Sequence, residues 1–170
     1  AESQGYPMTL ERDYGFDFTD DGTPADGVEA RDISITLVYE KARKETRMVY
    51  DESTGKYAFS QYGKVMTDLK TEEVEAFRNV IVMYADITTT GIYHIADFNA
   101  GGKGYFACGG KLIPIVWMCG GDKEPFRFFT ESGEPLELGR GNTYMAICTP
   151  QSPVVCEGMP EQPAETTAAS

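Results

Sequence analysis

The sequence predicts a mainly β domain: an antiparallel meander forming a sandwich or a barrel-like sheet, with at most one short helix. Three observations predict it. Short runs rich in β-branched and aromatic residues recur between turn signals, the pattern of an antiparallel sheet and not of alternating strands and helices. "DISITLVYE" alternates, placing Ile33, Ile35, Leu37 and Tyr39 on one face. "GGKLIPIVWMCGG" is apolar on both faces, Ile113, Ile115, Trp117 and Cys119 on one and Leu112, Pro114, Val116 and Met118 on the other, so that strand is covered on two sides.

"DFTDDGTPADGVE" is the densest carboxylate cluster, but counted as a calcium loop from Asp17 it offers Val28 where the bidentate acid belongs. A solvated acidic loop is expected there. After the strand of "DISITLVYE", "TRMVYDESTGKYAFSQYG" reads as a hairpin, with a strand ending near Tyr50, a polar turn from Glu52 to Gly55, and a return strand carrying Tyr57 and Phe59. "TDLKTEEVEAFRN" is the one helix candidate, with Asp68 as N-cap and Glu72 and Glu73 in the first turn. Its apolar residues Leu69, Val74 and Phe77 fit a helical period poorly. Further strands are expected at "NVIVMYA", "GIYHIADF", "KGYFAC", "KLIPIVWMC", "FRFFT", a short run through Leu136 and Leu138, and "TYMAICTP". Pro114 cannot donate to a ladder, which predicts a bulge or an unpaired edge at that point. Residues 1–150 are read as one domain, and 151–170, with no regular apolar pattern after Val155, as a flexible tail.

Charge excludes some functions. The chain has 170 residues, 27 acidic and 15 basic, for a net charge of −12, so unassisted contact with nucleic acid or an anionic membrane is repelled. No run approaches the roughly 18 apolar residues of a spanning helix. The opening "AESQGYPMTL" lacks a signal segment, which fits either a cytoplasmic protein or one whose targeting segment is removed; Ala in first place favours the second.

Motifs for chemistry fail their own tests. Cys108, Cys119, Cys148 and Cys156 are too widely spaced for a zinc knuckle, and His94 is the one histidine, so neither metal nor cofactor is expected. If Gly109 and Gly110 form a two-residue turn, Cys108 and Cys119 lie roughly 26 Å apart at about 3.3 Å per residue and cannot bridge. Cys148 and Cys156 flank "TPQSPVV", which leaves open a disulfide or two buried thiols. "GGKG" at Gly101 has Asp97 and Gly104 where a phosphate loop needs glycine and a hydroxyl; those glycines are expected to turn the chain into the next strand. His94 sits inside a strand with nothing to single it out as a base. Trp117 is open to two readings, core packing or a partly open aromatic wall for a ligand.

The succession "RNVIVMYA", "GGKGYFACGGKLIPIVWMC" and "FRFFTESGEPLELGRGNTYMAICTP" resembles the C-terminal domain of the YerB-like bacterial lipoproteins, a family of unknown function known as DUF3048. The earlier "ISITLVYEKARKETRMVYDESTGKYAFSQYGKVMTD" is similar to that family's strand pair, through Tyr50, Asp51, Gly55, Tyr57, Gly63 and Asp68. Coverage runs from about Ile33 to Pro150. Met118, Tyr144 and Met66 stand where the family tends to have Lys, Trp and His. The resemblance implies an exported protein, lipid-anchored on the outer face of the bacterial cytoplasmic membrane, with its N-terminal domain and lipobox cysteine outside these 170 residues. Its matching positions make Asp68, Asn79, Lys111 and Trp117 the candidate binding residues. No catalytic residue is carried over. The leading expectation is a non-catalytic module binding an envelope ligand or protein in an apolar or aromatic groove without convergent titratable groups. The alternative is an envelope hydrolase or transferase whose paired carboxylates include Asp51, Asp68 or Asp97.

Overall fold

A computed structural model describes residues 15–121 and 124–160; residues 1–14 and 161–170, the latter half of the expected tail, lie outside the described residues. The strands in chain order are β1 (Asp17–Thr19), β2 (Val28–Glu29), β3 (Asp32–Tyr39), β4 (Ala42–Asp51), β5 (Lys56–Gln61), β6 (Lys64–Val65), β7 (Ala76–Phe77) and β8 (Asn79–Tyr84). Then come β9 (Ile87–Thr90), β10 (Tyr93–Ala96), β11 (Gly102–Cys108), β12 (Lys111–Cys119), β13 (Phe126–Thr130), β14 (Glu137–Gly139), β15 (Thr143–Cys148) and β16 (Val154–Val155).

Of the two architectures expected, the sandwich forms and no sheet closes into a barrel. One sheet runs β13-β12-β11-β8-β15 with β2 beside β12; the other runs β16-β3-β4-β5-β6 with β7 beside β5. Their facing side chains share one core, in which Ile33, Ile35, Met48 and Tyr57 of the second sheet meet Val80, Val82, Ala107 and Leu112 of the first. The first sheet has a second core on its other face, where Ile81, Phe106, Ile115, Trp117 and Phe128 pack under Leu136 and Leu138. This explains "NVIVM": β8 is buried at every position through Met83 because it lies mid-sheet with apolar layers above and below.

Local chemistry sets the connections. Gly109 and Gly110, at φ 60° and 78°, form the two-residue turn that sets Cys108 opposite Lys111, a left-handed pair that other residues adopt only under strain. Asp51 Oδ1 accepts from the Ser53 amide at 2.9 Å in the turn that sets Tyr50 opposite Tyr57, the expected hairpin. On β12, the side facing away from β11 pairs with β2 through Leu112 and with β13 only from Ile115 onward. Ile113 and Pro114 fall in the gap, the unpaired edge that the proline predicts.

Four expectations change. No helix forms over "TDLKTEEVEAFRN": Asp68 Oδ1 takes the Lys70 and Thr71 amides, both at 2.8 Å, and Glu72 at φ 59° turns the chain back so that Thr67 pairs with Val74. Asp68 caps a turn and not a helix, because Leu69, Val74 and Phe77 share no helical face and Ala76–Phe77 joins β5 instead. The meander also breaks at its end: β15 lies parallel to β8, Thr143 beside Asn79 through Cys148 beside Tyr84. β8, apolar on both faces, needs a neighbour on both edges, and β15 fills the one that β11 leaves. The two-sided cover of β12 lapses at Pro114, which is exposed, and at Met118, which is 49% exposed. Finally, the segment after Pro150 is docked up to Met159: Val154 pairs with Ile35, and Ser152, Val154 and Cys156 are buried. Glu157 accepts from the Arg31 and Asp32 amides at 3.1 and 3.2 Å. Cys108, Cys148 and Cys156 are buried free thiols and Cys119 is a half-buried one, so the alternative to the disulfide holds.

Candidate functional site

The residues singled out from sequence do not converge. Asp68 closes its exposed turn, and the two amides it accepts hold its carboxyl below the usual range. Lys111 Nζ lies 2.7 Å from Glu29 Oε1 in an ion pair across the β2–β12 ladder. Trp117 is wholly buried, its Nε1 donating to the Lys103 carbonyl at 3.1 Å and its ring edge-on to Phe98 and Phe126. Asn79 is also buried: Nδ2 donates to the Gly139 carbonyl at 2.8 Å and to Thr143 Oγ1 at 3.2 Å, while Oδ1 accepts from the Gly139 amide at 2.9 Å. An asparagine in that position substitutes for a strand neighbour, tying β8 to β14.

The acids of the enzyme alternative are equally local. Asp51 Oδ1 takes both the Ser53 hydroxyl, at 2.7 Å, and its amide, which hold its carboxyl low. Asp97 accepts from the Asn99 amide at 2.9 Å. Each acid serves its own turn. His94 lies in the exposed β9–β10 hairpin, its Nδ1 3.1 Å from Thr89 Oγ1 and its ring stacked on Tyr39. Of the three departures from the family pattern, Tyr144 packs against Phe59 and Phe77, Met66 lies against the shared core, and Met118 faces outward.

What the sequence did not reveal is a cleft of about 710 Å³. It opens at the bare β12 edge. Its floor is Phe106, Ile113 and Leu136; one wall is the segment from Asp17 to Ala25, the other Thr130 with the segment from Glu134 to Glu137. Asp17, Asp21, Glu134 and Glu137 line it, so the groove is apolar below and acidic above, unlike the uncharged groove expected. The acidic loop is therefore docked as well as solvated. Arg78, only 17% exposed, holds it: its guanidinium donates to the Asp21 carbonyl at 2.6 Å and to the Gly55 carbonyl at 2.9 Å, and pairs with Asp21 Oδ1 at 3.2 Å. Gly22, at φ 70°, lies so close to Gly139 that a side chain would strike its backbone. Arg78 was missed because a lone arginine before a strand looks solvated; the signal lay in the glycines around it, Gly55, Gly139 and Gly141. Among the described residues, no group of three or more His, Cys, Asp or Glu side chains is placed to hold a metal ion.

A family model, described as the C-terminal domain of a protein of unknown function (DUF3048), matches residues 35–145. The chain belongs to the DUF3048 family. The match runs from β3 into β15, so the DUF3048 region supplies the floor and one wall of the cleft, while the wall from Asp17 to Ala25 precedes it. The crystal structure of the YerB protein from Bacillus subtilis has the same fold, with a TM-score of 0.70 at 19% identity over 91% of this chain. That overlap is 51% of the YerB chain, so this DUF3048 chain spans about half its length. No curated protein matches the chain.

Proposed function

We propose that this DUF3048 domain is a non-catalytic binding module that acts at the cell envelope, outside the cytoplasm, held there by a lipid anchor that lies outside these residues. The setting comes from the resemblance to YerB-like lipoproteins. The observation that carries the binding role is the cleft, whose apolar floor lies under walls drawn from three separate segments. Concave sites of this size with an apolar base and a few polar groups are the usual form of a ligand site.

Ala25 is exposed on the cleft wall, away from both cores, so Ala25→Trp fills the cleft without altering the fold. Native mass spectrometry of the domain released from envelope membranes is expected to show a retained ligand mass that Ala25→Trp loses. Equal retention by both forms, or none by either, overturns the reading. The paired-carboxylate alternative has one specific support: Asp17 and Glu137 are direct partners across the β1–β14 ladder, inside the cleft. Chemical conversion of the retained ligand, abolished by Asp17→Asn, would favour that enzyme instead.

A further inference from the structure

We propose that the cleft takes an extended peptide segment carrying Lys or Arg, its cationic side chains set against Asp17, Glu134 and Glu137 and its apolar side chains on Ile113 and Leu136. This rests on the reading of the cleft as the binding site, and it names the partner chemistry.

The edge of β12 favours an extended chain. On the side away from β11, β2 ends its pairing with β12 at Leu112 and β13 begins at Ile115, so among the described residues no strand covers Ile113 and Pro114. A bare edge beside a groove is where an extended chain adds to a sheet, main chain along the edge and alternate side chains into pockets. The edge is short and Pro114 has no amide to offer, so a segment added there is held mainly through its side chains in the groove, where Pro24 and Pro135 line the opening.

The charge of the walls favours a basic one. β1 and β14 are parallel, and Asp17 stands in register with Glu137, so the two side chains leave the same face at adjacent positions. Like charges so placed repel and destabilise the ladder that holds them. Neutralisation is available nearby in principle, since Arg78 pairs with Asp21 and Arg140 Nε lies 3.1 Å from Asp20. Yet among the described residues neither Asp17, Glu134 nor Glu137 has a basic partner, and no Lys, Arg or His lines the cleft. A basic segment supplies the missing cations. An apolar floor between these acids suits alternating basic and apolar side chains better than a small hydrated cation, which would leave Ile113 uncovered.

The probes are the capped peptide Ac-VKVKVK-NH2, its counterpart Ac-VEVEVE-NH2, and spermine, read by amide chemical shifts and by titration. The lysine peptide is expected to shift the amides of Ile113, Thr130 and Leu136, and to bind roughly tenfold more weakly when salt is raised from about 0.05 to 0.5 M, as screening predicts. The double variant Asp17→Asn, Glu137→Gln is expected to weaken that binding about tenfold while raising the melting temperature of the free protein, since it relieves the repulsion. A merely structural pair would not move the two readouts in opposite directions. Equal binding of the glutamate peptide, binding of spermine as tight as that of the lysine peptide, or no shift with any probe overturns the proposal. If Ala25→Trp still expels a retained ligand while the lysine peptide does not bind, the binding reading stands and the basic-peptide inference alone falls.

Discussion

Asn79 shows how one buried amide can hold two segments of chain together. Its side chain satisfies both the amide and the carbonyl of Gly139, groups that would otherwise be buried without a partner. Leaving a buried polar group unmatched costs about 1–3 kcal/mol, and Asn79→Ala strands a donor and an acceptor together, so a loss of about 3 kcal/mol is expected in urea unfolding. β14 is the strand freed, so the Glu137 and Leu138 amides should also exchange faster with solvent. The identity of Asn79 as a matched family position was legible in the sequence; its role was not, because an asparagine in a β run gives no sign of which backbone it will meet. Trp117, which the sequence leaves open between core packing and a ligand wall, is wholly buried. Its place in the core comes from alternation along β12, and Gly102 opposite is needed because a β carbon there would meet the indole at 2.9 Å. Sequence names residues well when their surroundings are their own strand, and poorly when they answer a distant loop, as Arg78 does with Asp21 and Gly55.

Among the elements, one of the two-residue strands has an effect out of proportion to its length. β16 is two residues, yet Val154 is 1% exposed in the shared core and Thr149 and Ser152 tie the approach to Val38. A carboxylate placed there has no partner, so Val154→Asp is expected to lower stability by about 3 kcal/mol or more, and a chain ended at Pro150 to lose the dispersed amide spectrum of the native fold. Prolines, small residues and the lack of a regular apolar pattern after Val155 made this stretch look like a tail, because a strand so short carries no periodic signal. The expected helix failed for a related reason. Asp68 offers the same hydrogen bonds to a turn as to a helix N-terminus, and the residues downstream of it, from Leu69 to Phe77, decide between the two. By contrast, β8, the strands from β10 to β13 and the hairpin of β4 and β5 were legible because alternation, glycine turns and Pro114 agreed, while β9, in "ITTT", was not singled out. The parallel return of β15 was not, since nothing in a strand's composition states its direction.

At the scale of the molecule, the second sheet packs one side of the first and β14 with the aromatic cluster packs the other. Burial on this scale affects titration. The Cys148 thiol is pushed up to about 12 by burial, and Tyr57 and Tyr84 are pushed well above the usual phenol range by the same cause. Groups whose folded values are raised stabilise the protein fully below their unfolded values and lose that contribution as pH climbs toward the folded ones. The melting temperature is therefore expected to hold up to about pH 9, the ordinary thiol value, and to fall steadily between there and about 12. At the acid end the sign reverses: Arg47 holds Asp32 low, so its contribution is lost only as pH drops below the ordinary 3.8. The pairing of Val154 with Ile35 bears on biosynthesis. A ribosome delivers Ile35 of β3 119 residues (154 − 35) before its partner Val154, so the outer edge of β3 stays unclad over that interval. The nascent chain must be kept from pairing that edge with a neighbour on the same message, and slow emergence near residue 155 would lengthen the exposure.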